Sequence, residues 1–198
     1  NAIITNSGTI TSTTGDGIES SGANATITNS GNITSKTDDG IYSEGANATI
    51  TNSGTITSKT DDGIESRGDD AIITNTNSGS ITGANEGIFS TGAKATITNS
   101  GNITGGDDGI ESRGDDAIIT NTNSGTINAD YGIYSIGDNA TITNSGSITA
   151  GDDGILSIGA NAIINNSGTI TGTNYAVRGN NTSDSLTLNL LKGSQLMG

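Results

Sequence analysis

Acidic side chains that directly precede a glycine recur along the chain and form its most regular array of reactive groups. The members of this column are Asp16, Asp39, Asp62, Glu86, Asp108 and Asp153. Stacked carboxylates repel one another unless solvent or cations screen them, and calcium prefers oxygen ligands. The sequence therefore predicts a weak calcium site at Asp39, Asp62 and Asp108. The alternative is a solvated turn, in which Asp is simply favoured before Gly.

The residue types that most enzymes use are missing. The chain contains no His and no Cys, so the commonest general bases, nucleophiles and soft metal ligands are absent. Insertions between repeats are at most two residues long, which is too short to wall a substrate groove. We expect a protein that is not an enzyme and that needs no cofactor, with calcium as the one possible exception.

A repeat of about 23 residues positions the acidic column. The alanine that opens each copy is found at Ala2, Ala25, Ala48, Ala71, Ala95, Ala117, Ala140 and Ala162. Each copy contains three short segments, A-T-I-T-N, x-I-T and G-I-x-S, in which apolar and polar residues alternate. Alternation with a period of two indicates half-buried strands, and a fixed period over eight copies predicts a solenoid.

Three isoleucines per copy predict three inward columns of side chains. The first column is Ile4, Ile27, Ile50, Ile73, Ile97, Ile119, Ile142 and Ile164; the second is Ile10, Ile33, Ile56, Ile81, Ile103, Ile127, Ile148 and Ile170; the third is Ile18, Ile41, Ile64, Ile88, Ile110, Ile133, Ile155 and Val177. We therefore expect an all-β parallel β-helix of eight turns, with three short strands per turn. Residues 1–181 form this repeat region, and residues 182–198 a leucine-rich final turn or cap that begins a continuing segment.

Composition alone would suggest disorder, because aliphatic residues are scarce and the formal net charge is −14. The strict period overrules that interpretation. The negative charge disfavours nucleic acid and anionic membranes as partners, and no apolar run reaches the length of a membrane span. At the corner after the first segment, Asn-Ser-Gly recurs, and we expect its Asn side chains to hydrogen-bond to those in the turns above and below.

The third strand carries the variable outward positions. One outward column reads Glu19, Tyr42, Glu65, Phe89, Glu111, Tyr134 and Leu156, and the next reads Ser21, Glu44, Arg67, Thr91, Arg113, Ile136 and Ile158. Arg67 can reach Glu44 or Glu65, and Arg113 can reach Glu111. The apolar members are Tyr134, Ile136, Leu156 and Ile158, with the more distant Tyr42 and Phe89. They predict the only exposed apolar strip on the rod, and we expect this strip to bind a partner. The alternative is that a loop or the leucine-rich tail covers this strip.

Threonines point outward in pairs on the first strand, as in Thr26/Thr28 and Thr49/Thr51. Such ranks suit an ice-binding face, although Ile3, Ile72, Ile118 and Ile163 interrupt them. The alternative is ordinary β-propensity on an exposed strand.

The segments A-T-I-T-N-S-G-x-I-T-x, D-D-G-I and D-S-L-T-L-N-L-L-K-G-S resemble the passenger region of bacterial autotransporters, above all the self-associating and diffusely adhering adhesins. The resemblance covers essentially the whole chain. It implies a right-handed parallel β-helix displayed on a Gram-negative outer membrane, followed by a translocator barrel. In that family the rod is a stalk or an adhesive surface, and some members carry sugars on Ser and Thr.

These observations predict a non-enzymatic stalk or adhesin segment at the bacterial cell surface, outside the cell. Its partner is expected to be a second copy of itself or a glycan or protein of a cell surface. No direct membrane insertion of this segment is expected. The alternative function is a subunit of an extracellular filament built by end-to-end stacking, because the ends of a β-helix present unpaired strands.

Overall fold

The structure, a computed structural model, describes residues 1–179 and 185–198. All regular structure in these residues is β-strand, arranged in three parallel sheets that the chain visits in turn. No helix in the described part of the chain is long and apolar enough to cross a membrane. The predicted all-β parallel β-helix, with three short strands and about 23 residues per turn, is confirmed.

Each sheet takes one strand from every turn, and the bounds below follow chain order within a sheet. The first sheet contains Ile3–Asn6, Thr26–Asn29, Thr49–Asn52, Ile72–Asn75, Thr96–Asn99, Ile118–Asn121, Thr141–Asn144, Ile163–Asn166 and Thr187–Leu190. The second sheet contains Thr9–Ser12, Asn32–Ser35, Thr55–Ser58, Ser80–Thr82, Asn102–Thr104, Thr126–Ala129, Ser147–Ala150, Thr169–Gly172 and Gln195–Met197. The third sheet contains Ile18–Ser20, Ile41–Ser43, Ile64–Ser66, Ile88–Ser90, Asp108–Ser112, Tyr131–Ser135, Asp153–Ser157 and Tyr175–Gly179.

The core consists of the three isoleucine columns. Successive turns pair in register, so that Ile73 lies opposite Ile50 on one side and Ile97 on the other. From the second turn to the eighth, nearly every column isoleucine is fully buried, and these side chains form one continuous cluster. Burial of β-branched side chains in every turn stabilises the stack as a whole, since each turn covers its neighbours.

A ladder of buried asparagines forms the corner between the first and second sheets. The members are Asn6, Asn29, Asn52, Asn75, Asn99, Asn121, Asn144 and Asn166. In every member except Asn166, which is the last, the side-chain amide donates to the side-chain oxygen of the Asn one turn ahead, at 2.8–2.9 Å. This confirms the expected bonding between turns and satisfies the polar groups of a buried corner.

The corner between the third and first sheets contains a column of left-handed residues. Asn24, Asn47, Asp70, Lys94, Asp116, Asn139 and Asn161 all have φ between 57° and 59°. Asn and Asp tolerate this conformation better than other residues with a side chain. The next residue in each turn is the buried alanine that opens the repeat, which explains the constancy of the N-A and D-A dipeptides.

The leucine-rich tail adds a ninth, partial turn. Leu188 pairs with Ile164 in the first sheet, and Leu196 pairs with Ile170 in the second. Leu190 follows Asn166 in register, so it ends the asparagine ladder, and it is 55% exposed. The predicted domain boundary between residues 181 and 182 lies outside the described residues.

Candidate functional site

The acidic column lies where the chain turns from the second sheet into the third. A glycine follows each acid because there is no room for a side chain: a Cβ on Gly40 would lie 2.4 Å from Ile56 Cγ2 and 2.5 Å from the carbonyl oxygen of Gly63. The backbone of this glycine packs against the core and the next turn. The preceding acid therefore lies at the same position in each of the six turns that contain one, on the outer side of the third sheet.

These acids form a hydrogen-bonded ladder in the first four turns. The backbone N–H of Asp39 donates to Asp16 Oδ1 at 2.9 Å, and the N–H of Asp62 donates to Asp39 Oδ1 at 3.0 Å. The N–H of Glu86 continues the ladder to Asp62 Oδ1 at 3.0 Å. Asp39 is only 4% exposed and Asp62 only 3%. The alternative prediction of a solvated turn is therefore wrong, because the neighbouring turns and the outward side chains of the third sheet cover these carboxyls.

Burial makes the carboxyls of this corner weak acids. Burial, together with a hydrogen bond to Glu65, raises the pKa of Asp39 to about 8. Burial, together with a hydrogen bond to Glu86, raises the pKa of Asp62 to about 9. At Asp108, burial and then the charges of Glu111 and Glu86 raise the pKa to about 7. Loss of water is the main cause in all three, since it disfavours the charged form.

Three arginines neutralise part of this face, and one of them, Arg178, places its Nε 2.8 Å from Asp153 Oδ2. Arg67 Nε lies 2.5 Å from Glu65 Oε1, and Arg113 Nε lies 2.6 Å from Glu111 Oε1. Arg67 thus pairs with Glu65, one of the two partners predicted for it, and the predicted pair Arg113–Glu111 is confirmed. The guanidinium carbon of Arg67 also lies 5.1 Å from the ring centroid of Tyr42, and that of Arg113 lies 4.7 Å from the ring centroid of Phe89. Each ring belongs to the preceding turn and makes a cation–π contact with the arginine.

Among the described residues, the carboxylates gather into two groups that could hold a cation. One group is Asp39, Asp61 and Asp62, and the other is Glu86, Asp108 and Glu111; within each, one oxygen per residue lies within 4.8 Å of the others. The predicted calcium residues Asp39 and Asp62 thus share a group, while Asp108 belongs to the other. The sequence analysis did not place Glu111 beside Asp108, because regular alternation puts residues three apart in one strand on opposite faces.

Asp39 and Asp61 of the first group line a shallow cleft of about 310 Å³ on the third sheet. The lining residues are Asp16, Glu19, Asp38, Asp39, Tyr42, Asp61, Glu65 and Arg67. A cleft so rich in carboxylates favours cations over acidic ligands.

The predicted apolar strip on the third sheet is less exposed than expected. Tyr42, Phe89, Tyr134, Ile136 and Ile158 are half-buried, and Leu156 is only 7% exposed. Leu156 pairs with Tyr134 on one side and Arg178 on the other. Strands about 4.8 Å apart bring outward side chains into contact, so neighbouring side chains of this column bury part of one another's surface. The expectation that Leu156 is exposed is wrong, and a partner-binding role for these six residues stays a prediction.

The exposed apolar side chains lie elsewhere. On the outer side of the first sheet, Ile3 is 82% exposed, and Ile72, Ile118 and Ile163 are 46%, 48% and 40% exposed. Tyr175 is also exposed, as are four leucines of the last turn, Leu188, Leu190, Leu191 and Leu196. The expectation that the third sheet carries the only exposed apolar strip is therefore wrong.

Charge is confined to one side of the rod. Within the described residues, no strand of the first or second sheet contains an Asp, Glu, Lys or Arg. Apart from Lys192, every ionisable side chain of the described residues lies on the third sheet or in the turns that flank it. Two sheets and the asparagine corner between them thus form a continuous surface of Thr, Ser, Asn and Ile, called here the uncharged face.

Comparisons with models of protein families, with curated proteins and with solved structures give no match.

Proposed function

We propose that this chain is a non-enzymatic segment of an exported bacterial surface protein, an adhesive stalk whose partner is a second copy of itself. The observation that carries the proposal is the confinement of charge to one side of the rod. The copies associate side by side through the uncharged face, and the acidic third sheet of each copy remains turned toward water.

Electrostatics favours this arrangement. Each chain has a formal net charge of −14, so two copies repel one another when their acidic sides meet. Approach through the uncharged face keeps the acidic columns on opposite sides of the pair, where water and salt screen them. Charge segregation of this kind selects the orientation of a contact more than its strength.

The side chains of the uncharged face supply the attraction. Ile72 and Ile118 lie two rungs apart in one outward column, with Thr96 between them. Each isoleucine is nearly half exposed, and covering it removes apolar surface from water. The Thr side chains of the same rows offer hydroxyl groups to a second copy, and their β-branched shape leaves them few rotamers to lose on contact.

Sedimentation velocity of the parent and of Ile72→Glu/Ile118→Glu tests the proposal. We expect the parent to self-associate as concentration and salt rise, and the double variant to remain monomeric. Thr37→Glu/Thr60→Glu adds the same charge to exposed turns on the acidic side and is expected to associate like the parent. Equal association of the two variants would refute the uncharged face as the contact surface.

Display of the same variants on bacterial cells extends the test to adhesion. Cells that carry the parent are expected to clump, and clumping is expected to be lost with Ile72→Glu/Ile118→Glu alone. A parent that stays monomeric at every concentration and gives no clumping would overturn self-association as the function.

Ice binding is a second candidate, because the uncharged face presents ordered threonine pairs such as Thr96/Thr98 and Thr141/Thr143. Ice binding requires measurable thermal hysteresis by the monomer. Hysteresis that disappears in Thr98→Lys, in a protein that shows no self-association, would favour ice over a second copy.

A further inference from the structure

The acidic ladder is interrupted at Asp108. In the earlier turns, a carboxyl such as that of Asp39 accepts the backbone N–H of the acid one turn ahead. The residue one turn ahead of Asp108 is Tyr131, and its N–H donates instead to the carbonyl oxygen of Asp107, at 2.8 Å. The Asp108 side chain is 5% exposed, and its Oδ1 has no hydrogen-bond partner among the described residues.

The unpartnered carboxyl points into a group of three. Oxygens of Glu86, Asp108 and Glu111 lie within 4.8 Å of one another. Glu111 is 2% exposed and has one cationic neighbour, Arg113, at 2.6 Å. With all three carboxyls ionised, Arg113 leaves a net charge of −2 in a nearly dry site. An uncompensated buried charge of this size is costly, and a divalent cation matches it.

We propose that Glu86, Asp108 and Glu111 bind one calcium ion. Two Ca–O bonds of about 2.4 Å span the separations between these oxygens, and three carboxylates supply three to six of the ligands that calcium takes. Glu86 is half-buried, so water reaches the site on its side and completes the shell. Magnesium suits the site less well, because it requires shorter bonds and a near-ideal octahedron.

The neighbouring group of Asp39, Asp61 and Asp62 is a weaker candidate. Asp39 Oδ1 and Asp62 Oδ1 each already accept a backbone N–H, so fewer lone pairs are free for a cation. Both groups are acidic and largely buried, but only the group that contains Asp108 has an oxygen without a hydrogen-bond partner among the described residues. The group that contains Asp39 therefore serves as a control within the same molecule.

Titration of the chelator-treated chain with calcium, followed by calorimetry, tests the proposal. We expect one site with a Kd of about 10⁻⁴–10⁻³ M, the range of extracellular calcium modules. Asp108→Asn keeps the size of the side chain and is expected to weaken binding at least tenfold. Asp39→Asn, the matched control, is expected to bind calcium like the parent.

Terbium provides a second readout that reports position. Tyr131 and Tyr134 lie one rung from Asp108 and Glu111, so Tb³⁺ bound there should luminesce when tyrosine is excited. We expect this emission to be lost in Asp108→Asn and in Glu86→Gln, with unchanged circular dichroism, and to be displaced by excess calcium. Absence of calcium binding at 100 times the expected Kd, equal binding by Asp108→Asn, or loss of binding in Asp39→Asn alone would overturn the proposal.

Discussion

The side-chain amide of Asn99 donates a hydrogen bond of 2.9 Å to Oδ1 of Asn121, and neither side chain has any exposed surface. The same Nδ2 also donates to the carbonyl oxygen of Thr126, and Asn99 Oδ1 accepts the N–H of Gly101. One side chain thus joins its own turn to the next turn and closes the corner between two sheets. Because the bonds are buried, each polar atom depends on its partners.

Replacement of Asn99 by Ala should therefore be strongly destabilising. The change leaves the N–H of Gly101 and the side-chain oxygen of Asn121 without this partner in a dry corner, which should lower the free energy of unfolding by about 2–4 kcal/mol. Chemical denaturation followed by circular dichroism measures the loss. Asn32→Ala, at an exposed outward position, is the control and should change stability by less than about 0.5 kcal/mol. Equal losses in the two variants would contradict a structural role for the ladder.

Replacement of Ser by Ala should have opposite effects on stability at two buried serines. The hydroxyl of Ser112 has no hydrogen-bond partner among the described residues, whereas Ser58 Oγ donates to the carbonyl oxygen of Asp38 at 2.6 Å and accepts the N–H of Asp61 at 3.0 Å. Ser112→Ala should raise stability by up to about 1 kcal/mol, and Ser58→Ala should lower it by about 1–3 kcal/mol. The melting temperatures of the two variants test this prediction. Loss of stability in both would show that the Ser112 hydroxyl has a hydrogen-bond partner in solution.

Much of this fold could be predicted from the sequence because strand alternation and the 23-residue period act together. The position of an isoleucine such as Ile97 within its segment sets its direction, and the period sets its neighbours, Ile73 and Ile119. The asparagine ladder and the pairing of Arg113 with Glu111 follow from the same two rules. The ladder depends on which residues share a column, and the ion pair depends on alternation, because residues two apart in one strand point to the same side.

The degree of burial of outward side chains could not be predicted in this way. Whether Leu156 is exposed depends on how far Tyr134 and Arg178 extend over it, and alternation contains no information about that reach. The burial of Asp62 and of Glu111 has the same origin. The uncharged face could be found in the sequence, but only once the three segments of each repeat are assigned to three separate sides of the rod.

Lys94 occupies a backbone conformation that suits Asn or Asp better. Its φ is 59°, and the other six of the seven residues in this column are Asn or Asp in turns with the same geometry, such as Asn47 with φ 58°. Lys94→Asn should therefore raise the free energy of unfolding by about 0.5–1 kcal/mol. Lys59→Asn removes the same charge from an exposed turn without positive φ and should show no such gain. If Lys59→Asn raised the free energy of unfolding by the same amount, the effect would come from the lost charge and not from the backbone conformation.

Stability should fall as pH rises, provided that a chelator removes divalent cations. Burial raises the pKa of Asp62 to about 9 from an ordinary value of 3.8, and that of Asp39 to about 8. Between about pH 4 and about pH 9, the folded protein therefore binds more protons than the unfolded chain. The free energy of unfolding decreases as the pH rises through this range. Melting temperatures across this range should show a higher value at pH 5 than at pH 8.

Asp62→Asn identifies the groups responsible for this pH dependence. The Asn side chain has an oxygen that can accept the N–H of Glu86, the bond that Asp62 Oδ1 makes at 3.0 Å, but it cannot ionise. The variant should therefore match the parent near pH 5 and exceed its stability at pH 8, by an amount on the order of a few kcal/mol. Asp69→Asn is the control, because Asp69 also accepts a backbone N–H, from Ala93 at 2.8 Å, but at an exposed corner. A parent that melts higher at pH 8 than at pH 5, or equal gains at pH 8 in both variants, would contradict the buried acidic ladder as the source.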